Sequence, residues 1–231
     1  MSQIEEARSV LRGAGWLTHA PPAFREQVLA RCVLRTFAAG APLYHVGDPP
    51  GGIYGLVSGG LAILIAPGER GPYFAHFARP GFWIGEAAAV TGQPRRVGVA
   101  ATRSTCTLYW PLDAIHVLAT ADPLTWRWLA LITIGHVDLA IGGADDLMIR
   151  QPAARCIAVL LRLAGRRLAQ PDDEPPAEVD VTQEDLAAMA NLSRNAVGSI
   201  LHGLAGEGLV RLDYRRITIV RPAELRRRLE G

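Results

Sequence analysis

The chain has 231 residues, of which 49% are hydrophobic and 20% are charged. This composition excludes a disordered or low-complexity protein, and the length is sufficient for two domains with separate cores. Every basic residue is an arginine, and the formal net charge of +2 is too small to establish nucleic-acid binding by itself. Evidence for a function therefore has to come from motifs.

Several kinds of chemistry have no motif in the sequence. Cys32, Cys106 and Cys156 stand far apart and form no C-x-x-C pair, which argues against a disulfide framework, a zinc site and an iron–sulfur cluster. No G-x-S-x-G, H-E-x-x-H or Walker-type glycine loop occurs either. We therefore expect no catalytic residues, no metal ligands and no enzymatic activity.

A membrane span is also not expected. The most apolar stretch, residues 128–144, is shorter than a bilayer span and contains His136 and Asp138. Residues 1–12 are polar and acidic and do not form a signal peptide. The sequence predicts a cytoplasmic protein that does not associate with membranes.

Between Phe37 and Trp110, short apolar runs alternate with turn residues rich in glycine and proline. The runs are residues 53–57, 61–65, 73–77, 97–101 and 106–110. Short strands at this spacing are typical of a β-sandwich or roll.

Beyond Pro123 the apolar residues recur with a helical period, which predicts one long helix from Pro123 to Ile149 with a weak point at Gly142-Gly143. The apolar face of this helix has to be covered. A parallel copy from a second subunit would cover it and make it a dimerisation helix, and packing against its own domain is the alternative.

Gln151-Pro152 predicts a hinge, because proline favours the first turn of a helix and disfavours helix in the residue before it. A second helix, from Ala153 to Leu168, is expected to follow. The acidic, proline-rich residues 170–178 are expected to form a surface connector.

Residues 181–204, VTQEDLAAMANLSRNAVGSILHGL, predict two helices with a tight break between them. Thr182, followed three residues later by Asp185, predicts a capping box, and Asn191-Leu192 is the predicted turn. Ser193 is a good N-cap for the second helix. The buried stripe of that helix is expected to be Val197, Ile200, Leu201 and Leu204.

The opposite face of the second helix carries polar and small residues, namely Arg194, Asn195, Gly198, Ser199 and His202. An α-helix fits the major groove of B-DNA, where arginine bonds bidentately to guanine and asparagine to adenine. Ser193 and Thr182, with the adjacent Gln183, are candidates for phosphate contacts. A structural helical hairpin with solvated arginines is the alternative.

Two short alternating runs follow Gly206-Glu207-Gly208 and are joined by residues 213–216, DYRR. This pattern predicts a winged helix-turn-helix whose wing tip presents Arg215 and Arg216 to DNA.

The order of roll, long helix, hinge and winged helix-turn-helix resembles the Crp/Fnr family from about Phe37 to Val220. The strongest motif is TQEDLAAMANLSRNAVGSILHGLAGEGLV, and FAAGAPLYHVGDPPGGIYGLVSGGLAIL is similar to the opening of the family's cyclic-nucleotide-binding fold. The resemblance implies an α+β protein with an N-terminal jelly-roll-like β-roll. We expect a sensor roll with flanking helices over residues 1–122, a dimerisation helix and hinge over 123–150, and a winged helix-turn-helix DNA-binding domain over 151–231.

The family's phosphate-binding cassette resembles residues 85–89, Gly85-Glu86-Ala87-Ala88-Ala89, together with Arg96. The small residues would expose backbone N–H groups to an anion, Arg96 would bind a phosphate bidentately and Glu86 would accept from a ribose hydroxyl. An ion pair between Glu86 and Arg96 in an empty pocket is the alternative.

Family members that bind cyclic AMP usually have Ser or Thr after this arginine and hydroxyl residues on the long helix. Here those positions correspond to Val97 and, by an ungapped count, to Ala140 and Ile141, whose side chains cannot hydrogen-bond. Each lost buried hydrogen bond costs about 1–3 kcal/mol, so a cyclic nucleotide is disfavoured as the cofactor and we expect an altered or absent nucleotide.

The sequence thus predicts a sequence-specific transcription regulator that binds double-stranded DNA as a homodimer, with RNA polymerase as a further partner. Its operator should be an inverted repeat that differs from that of the cyclic AMP receptor proteins, because Asn195 and Ser199 replace the Glu and second Arg typical of them. The alternative is a cyclic-nucleotide-binding sensor that acts through protein partners without specific DNA binding.

Overall fold

The fold is that of a computed structural model, which describes residues 2–66, 71–167 and 175–230. The contacts within the chain divide it into two units. The first unit contains Met1–Tyr73 and Ala78–Val137, and the second contains Phe74–Phe77 and Asp138–Gly231. By this criterion the boundary between the units lies within the long helix.

The first unit opens with helices that pack against the roll. They are α1 (Gln3–Arg12), a 3-10 helix (Gly15–His19) and α2 (Pro22–Arg31). Leu11, Leu17 and Val28 on these helices are fully buried, and Trp16 packs edge-on against Trp83 with 5.9 Å between the ring centroids. Burial of these large side chains is the main source of stability for this layer.

Short strands form the roll. They are β1 (Val33–Phe37), β2 (Pro42–Tyr44), β3 (Ile53–Ser58), β4 (Leu61–Ile65), β5 (Tyr73–Ala78), β6 (Trp83–Ile84), β7 (Val97–Ala101) and β8 (Thr105–Trp110). Two four-stranded sheets result, with the orders β1-β8-β3-β6 and β2-β7-β4-β5. Antiparallel pairing places Ile53 opposite Trp110 and Ile63 opposite Val99. The β-roll and the runs expected to be strands are confirmed.

Two short helices complete the roll. α3 (Glu86–Thr91) follows β6 directly, and α4 (Leu112–Ala121) follows β8. Gly85, between β6 and α3, has a φ of 114° in the left-handed region that favours glycine. Glu86, Ala88 and Ala89 are buried beyond this corner, where the sequence predicts the effector pocket.

The predicted long helix is confirmed as α5 (Leu124–Met148), and the carboxylate of Asp122 accepts the N–H of Leu124 at its start. The helix continues through Gly142-Gly143, so these residues are not a break. A methyl group on Gly142 would lie 3.4 Å from Cδ of Arg162, at ordinary van der Waals contact.

Large apolar side chains of α5 are exposed and recur at helical spacing. They are Ile134, Val137, Ile141 and Met148, and Ile141 is 60% exposed. By length and composition alone, α5 is also apolar enough to cross a bilayer. The expectation that the apolar stretch is too short is therefore corrected, because the folded helix extends beyond residues 128–144 on both sides.

The second unit contains the remaining helices and a small sheet. Its elements are α6 (Pro152–Leu163), β9 (Ala177–Val179), α7 (Gln183–Met189), α8 (Arg194–Gly206), β10 (Val210–Asp213), β11 (Arg216–Ile219) and α9 (Pro222–Glu230). The sheet has the order β10-β11-β9. Leu160, Leu186, Leu201, Ile219 and Leu225 meet in one fully buried core that joins these helices to the sheet.

Two sequence expectations are corrected in this unit. The second helix ends at Leu163 because Gly165 adopts a left-handed φ of 65°, and Leu168 lies outside the described residues. The expected surface connector, 170–178, contains part of β9 at its end, where Ala177 is buried, and its residues up to 174 also lie outside the described part.

Buried charges fasten the end of α5 to α6. The carboxylate of Asp146 is fully buried and accepts from Nε of Arg162 at 2.7 Å and from Nε of Arg167 at 3.0 Å. Arg155 adds a bond from its guanidinium to the carbonyl oxygen of Ile149 at 2.8 Å. A buried carboxylate is stable only when such partners compensate its lost hydration. The last turns of α5 are therefore tied to the end of α6 through Arg162, and the residue after α5 is tied to the start of α6 through Arg155.

Candidate nucleic-acid interface and sensor pocket

The first helix of the helix-turn-helix begins with the predicted capping box. Oγ1 of Thr182 accepts from the backbone N–H of Asp185 at 3.0 Å, and the Asp185 carboxylate accepts from the N–H of Thr182 at 3.3 Å. The hydroxyl of Thr182 also donates to this carboxylate at 2.6 Å. Its hydrogen is therefore committed to Asp185, which leaves Thr182 as an acceptor and a weak candidate for a phosphate contact.

Hydrogen bonds from Arg155 of α6 hold the turn between the two helices. Asn191 has a φ of 49°, a left-handed conformation that asparagine tolerates better than most residues. Nε of Arg155 donates to the carbonyl oxygen of Ala190 at 2.6 Å, and a second guanidinium nitrogen donates to that of Asn191 at 3.4 Å. Arg155 thus ties α6 to this turn.

α8 has the buried and exposed faces that the sequence predicts. Oγ of Ser193 accepts from the N–H of Ala196 at 3.2 Å, which confirms the N-cap. Val197, Leu201 and Leu204 are buried, and Ile200 is half-buried. The opposite face exposes Arg194, Asn195, Ser199 and His202, with Gly198 half-buried beside them.

His202 has its tautomer fixed by a local contact. Its Nδ1 lies 2.7 Å from the carbonyl oxygen of Gly198, which can only accept a hydrogen bond. Nδ1 therefore carries the hydrogen, and Nε2 is left to face solvent at the end of the exposed stripe.

The wing closes one side of a cleft at the start of α8. Val181, Thr182, Gln183, Arg194 and residues 212–217 line this cleft. Arg215, at the wing tip, has a φ of 54° and is exposed, and its neighbour Tyr214 is 92% exposed. The cleft brings together basic and polar side chains from α7, α8 and the wing, and the acidic Glu184 and Asp213 also line it.

The two wing arginines have different surroundings. Arg216 is half-buried, and its guanidinium lies 3.1 Å from the carboxylate of Asp180 and 3.3 Å from that of Glu178. These carboxylates hold Arg216 against β9. Arg215 has the exposed position that a DNA contact requires, whereas the guanidinium of Arg216 is already paired with two carboxylates. The carboxylates beside Arg216 could not be inferred from the spacing of the wing residues.

The residues of the predicted cassette lie together at the β6–α3 corner. Gly85, Glu86 and Ala88 are buried, and Ala87 is half-buried. Glu86 does not pair with Arg96: its Oε1 lies 2.9 Å from Nδ1 of His136 on α5. The cassette carboxylate is thus already engaged, by a residue that the sequence analysis does not assign to the pocket.

Arg95, and not Arg96, faces the interior of the roll. Arg95 is 6% exposed, and it donates to the carbonyl oxygens of Gly85 at 3.0 Å and Gly52 at 2.8 Å. Its guanidinium lies 4.2 Å from the ring centroid of Tyr44, whose pKa burial raises far above the ordinary value. Arg96 is exposed. The sequence offers two adjacent arginines and no local signal for which one points inward.

The remaining predicted effector residues do not supply polar atoms to this corner. Val97 is half-buried at the start of β7. Ala140 and Ile141 are exposed on the part of α5 that belongs to the second unit. Among the residues that the structure describes, no group of three or more His, Cys, Asp or Glu side chains could hold a metal ion.

Two family models match the chain in the order of its two units. The cyclic nucleotide-binding domain matches residues 34–122, and the Crp-like helix-turn-helix domain matches residues 154–228. The first match covers the roll, including the β6–α3 corner, and the second covers α6 to α9 with the exposed face of α8.

Curated and solved relatives agree with these matches. The HTH-type transcriptional regulator Cmr of Mycobacterium tuberculosis is 25% identical over 99% of this chain and 90% of its own length. A CRP/FNR-family transcriptional regulator from Thermus thermophilus shares the fold with a TM-score of 0.64 and 23% identity, over 86% of this chain and 99% of that one. FixK2 from Bradyrhizobium japonicum does so with a TM-score of 0.67 and 19% identity, over 86% and 96%. The chain belongs to the Crp/Fnr family of DNA-binding transcription regulators.

Proposed function

We propose that this chain acts in the cytoplasm as a homodimer that binds inverted-repeat DNA through α8 and catalyses no reaction. The observation that carries the proposal is the exposed polar face of α8, where Arg194, Asn195, Ser199 and His202 stand opposite a buried apolar stripe. A helix with this division can lie in the major groove without exposing its apolar side.

The residues of the exposed face divide into base-reading and backbone-binding groups. Arg194 and Asn195 lie in the first turn of α8, which enters the groove deepest in this class of motif. Arginine can bond to both major-groove acceptors of guanine and asparagine to adenine. Ser199 and His202 extend the same face, whereas Ser193, Gln183 and Arg215 flank it and are suited to phosphates. Thr182 and Arg216 are instead paired with carboxylates of the same unit.

The apolar face of α5 supports the dimer. A second copy of α5 would cover Ile134, Val137 and Ile141 on both helices. A bilayer is a poor cover, because Asp138 and the buried, doubly paired Asp146 lie in the same helix. Two copies of α8 related by a two-fold axis would read half-sites about 10–10.5 bp apart. RNA polymerase is the expected partner at such a promoter.

The contacts at the β6–α3 corner argue against a cyclic nucleotide whose ribose and phosphate are bound by the cassette glutamate and arginine. Glu86 is bonded to His136 and Arg95 is bonded to two backbone carbonyls, so neither side chain is available to a ribose or phosphate without giving up these bonds. Val97 offers no hydroxyl in place of the usual Ser or Thr. Each buried group that loses its hydrogen bond in this way costs about 1–3 kcal/mol.

Footprinting with an Arg194→Ala variant tests the proposal. Removing a bidentate arginine–guanine contact should cost about 1–3 kcal/mol at each half-site, and the protected sequence should disappear at concentrations that saturate the native dimer. Arg31→Ala, which removes a half-buried arginine of the first unit bonded to a carbonyl of its own helix, is the matched control and should leave the footprint unchanged.

Two further results would contradict the proposal. An unchanged footprint in the Arg194→Ala variant would remove α8 from the interface. Binding to genomic fragments that neither depends on salt concentration nor selects any sequence would favour a sensor that acts through protein partners.

A further inference from the structure

Tyr214 and Arg215 form the two-residue loop that joins β10 to β11. The register of the hairpin pairs Asp213 with Arg216, so the chain reverses direction at these two residues. Tyr214 is 92% exposed, more than any other large hydrophobic side chain in the described part of the chain. Among the residues that the structure describes, its side chain has no hydrogen-bond partner and no ring contact. The ring adds nothing to the core of its unit and is free to contact a partner.

Ion pairs hold the two strands behind this loop. Nε of Arg211 lies 3.2 Å from the carboxylate of Asp213, and the guanidinium of Arg216 is paired with Glu178 and Asp180. Arg211 therefore offsets the charge of Asp213 beside the loop, where a free carboxylate would repel a phosphate.

The loop forms one wall of the cleft at the start of α8. Tyr214 and Arg215 line this cleft together with Arg194, which lies in the first turn of the helix. Neither Arg194 nor Arg215 has an ion pair with a described residue, and Glu184 is the one carboxylate lining the cleft that lacks such a pair. The cleft therefore carries a net positive charge, which attracts the phosphates of a DNA strand.

The arrangement of these residues places the loop relative to DNA. With the first turn of α8 in the major groove, the sugar-phosphate strand that borders this groove runs through the cleft, between Arg194 and Arg215. The far side of that strand is the edge of the minor groove, and a two-residue loop is narrow enough to approach it. An aromatic ring in this position can bury apolar surface against deoxyribose.

We propose that Tyr214 contacts the minor-groove side of the strand beside each half-site and packs its ring on the deoxyribose sugars there. This inference rests on the proposed function and adds to it an uncharged contact next to the phosphate contact of Arg215. A protein surface is the competing occupant of the loop. The shared cleft favours DNA, because Tyr214 lines the same opening as the proposed base-reading residue Arg194.

Salt titration of DNA affinity tests the contact, with the inverted-repeat duplex that the native chain selects from random DNA as the probe. Tyr214→Ala should weaken binding by about tenfold and leave the slope of log affinity against log salt unchanged, since no phosphate contact is lost. Arg215→Ala should instead reduce the slope by about 0.9 for each phosphate contact removed. Tyr214→Phe keeps the ring and should bind within about twofold of the native chain.

Hydroxyl-radical footprinting locates the contact, because this reagent attacks deoxyribose from the minor groove. Sugars beside each half-site that the native chain protects should become accessible with Tyr214→Ala, while protection at the half-sites persists. Tyr73→Ala, which removes a tyrosine that is 42% exposed on the roll, is the matched control. It should change neither the affinity nor the footprint.

Native affinity and native protection with Tyr214→Ala would overturn the inference and leave the loop to a protein partner. Equal losses of affinity with Tyr214→Phe and Tyr214→Ala would also overturn it, because the hydroxyl and not the ring would then carry the contact. A native chain that selects no sequence would contradict the proposed function itself, and this inference with it.

Discussion

Arg95 and Arg96 are adjacent in the chain and have opposite surroundings. Arg95 is enclosed by two backbone carbonyls and the ring of Tyr44, and Arg96 is exposed. A buried guanidinium is tolerated because these acceptors and the aromatic face replace water. Of these two neighbouring arginines, Arg95 therefore holds the backbone of the pocket by hydrogen bonds, and Arg96 faces solvent.

The cysteines allow a test of burial at single residues. Burial raises the pKa of Cys32 and of Cys156 to about 12, and it also raises that of the half-buried Cys106. Thiolate is the reactive form, so iodoacetamide at about pH 8 should label Cys106 first and reach the other two only after unfolding. Peptide mass spectrometry at timed intervals measures this order. Labelling of Cys32 or Cys156 in the native protein at the rate of the urea-unfolded chain would contradict it.

Some side-chain roles follow from the sequence and others do not. The outward direction of Arg194, Asn195 and Ser199 could be predicted because helical periodicity is local. The pairing of His136 with Glu86 could not, because the two residues are 50 positions apart and only the fold brings them together. The ion pairs of Arg216 with Glu178 and Asp180 could not be predicted from a local pattern either.

α7 and α8 are the elements that local signals describe best. Their caps, at Thr182 and Ser193, act on backbone groups within three residues, so the sequence alone places both helix starts. β9 shows the opposite case. It is a strand only because Val179 pairs with Ile217 of β11, and a proline-rich acidic stretch carries no sign of that distant partner.

The cap of α8 should stabilise the second unit measurably. Ser193→Ala removes the acceptor of the Ala196 N–H and should lower the free energy of unfolding by about 1 kcal/mol. Ser199→Ala is the same substitution at an exposed interior position of the same helix, where alanine is the better helix former, and should cause no loss. Urea unfolding of both variants gives the comparison. Equal destabilisation by the two substitutions would show that the cap is not responsible.

α5 runs without interruption from the first unit into the residues of the second unit that follow Val137. Its surface carries exposed apolar side chains, and its C-terminal end carries Asp146 with its buried ion pairs. The exposed face is available to a second copy, and the end of the helix is fixed to Arg162 of α6 and to Arg167 beyond it. A dimer formed through α5 would therefore set the separation of the two α8 helices.

Ile141→Glu should break the dimer. A glutamate at this position would be buried against the second copy, and an unpaired buried charge costs several kcal/mol. Sedimentation equilibrium should show a monomer for this variant. Val117→Glu places the same charge on an exposed apolar position of α4 and should leave the dimer intact. A dimeric Ile141→Glu variant would mean that another surface joins the subunits.

Selection of binding sites from random duplex DNA tests most directly whether α8 reads the operator twice in a symmetric pair. The native chain should enrich an inverted repeat with half-site centres about 10–10.5 bp apart. Asn195→Ala should abolish the preference at one base-pair position, and at the symmetry-related position of the other half-site. Enrichment of no sequence, or of a sequence that Asn195→Ala leaves unchanged at every position, would contradict this account.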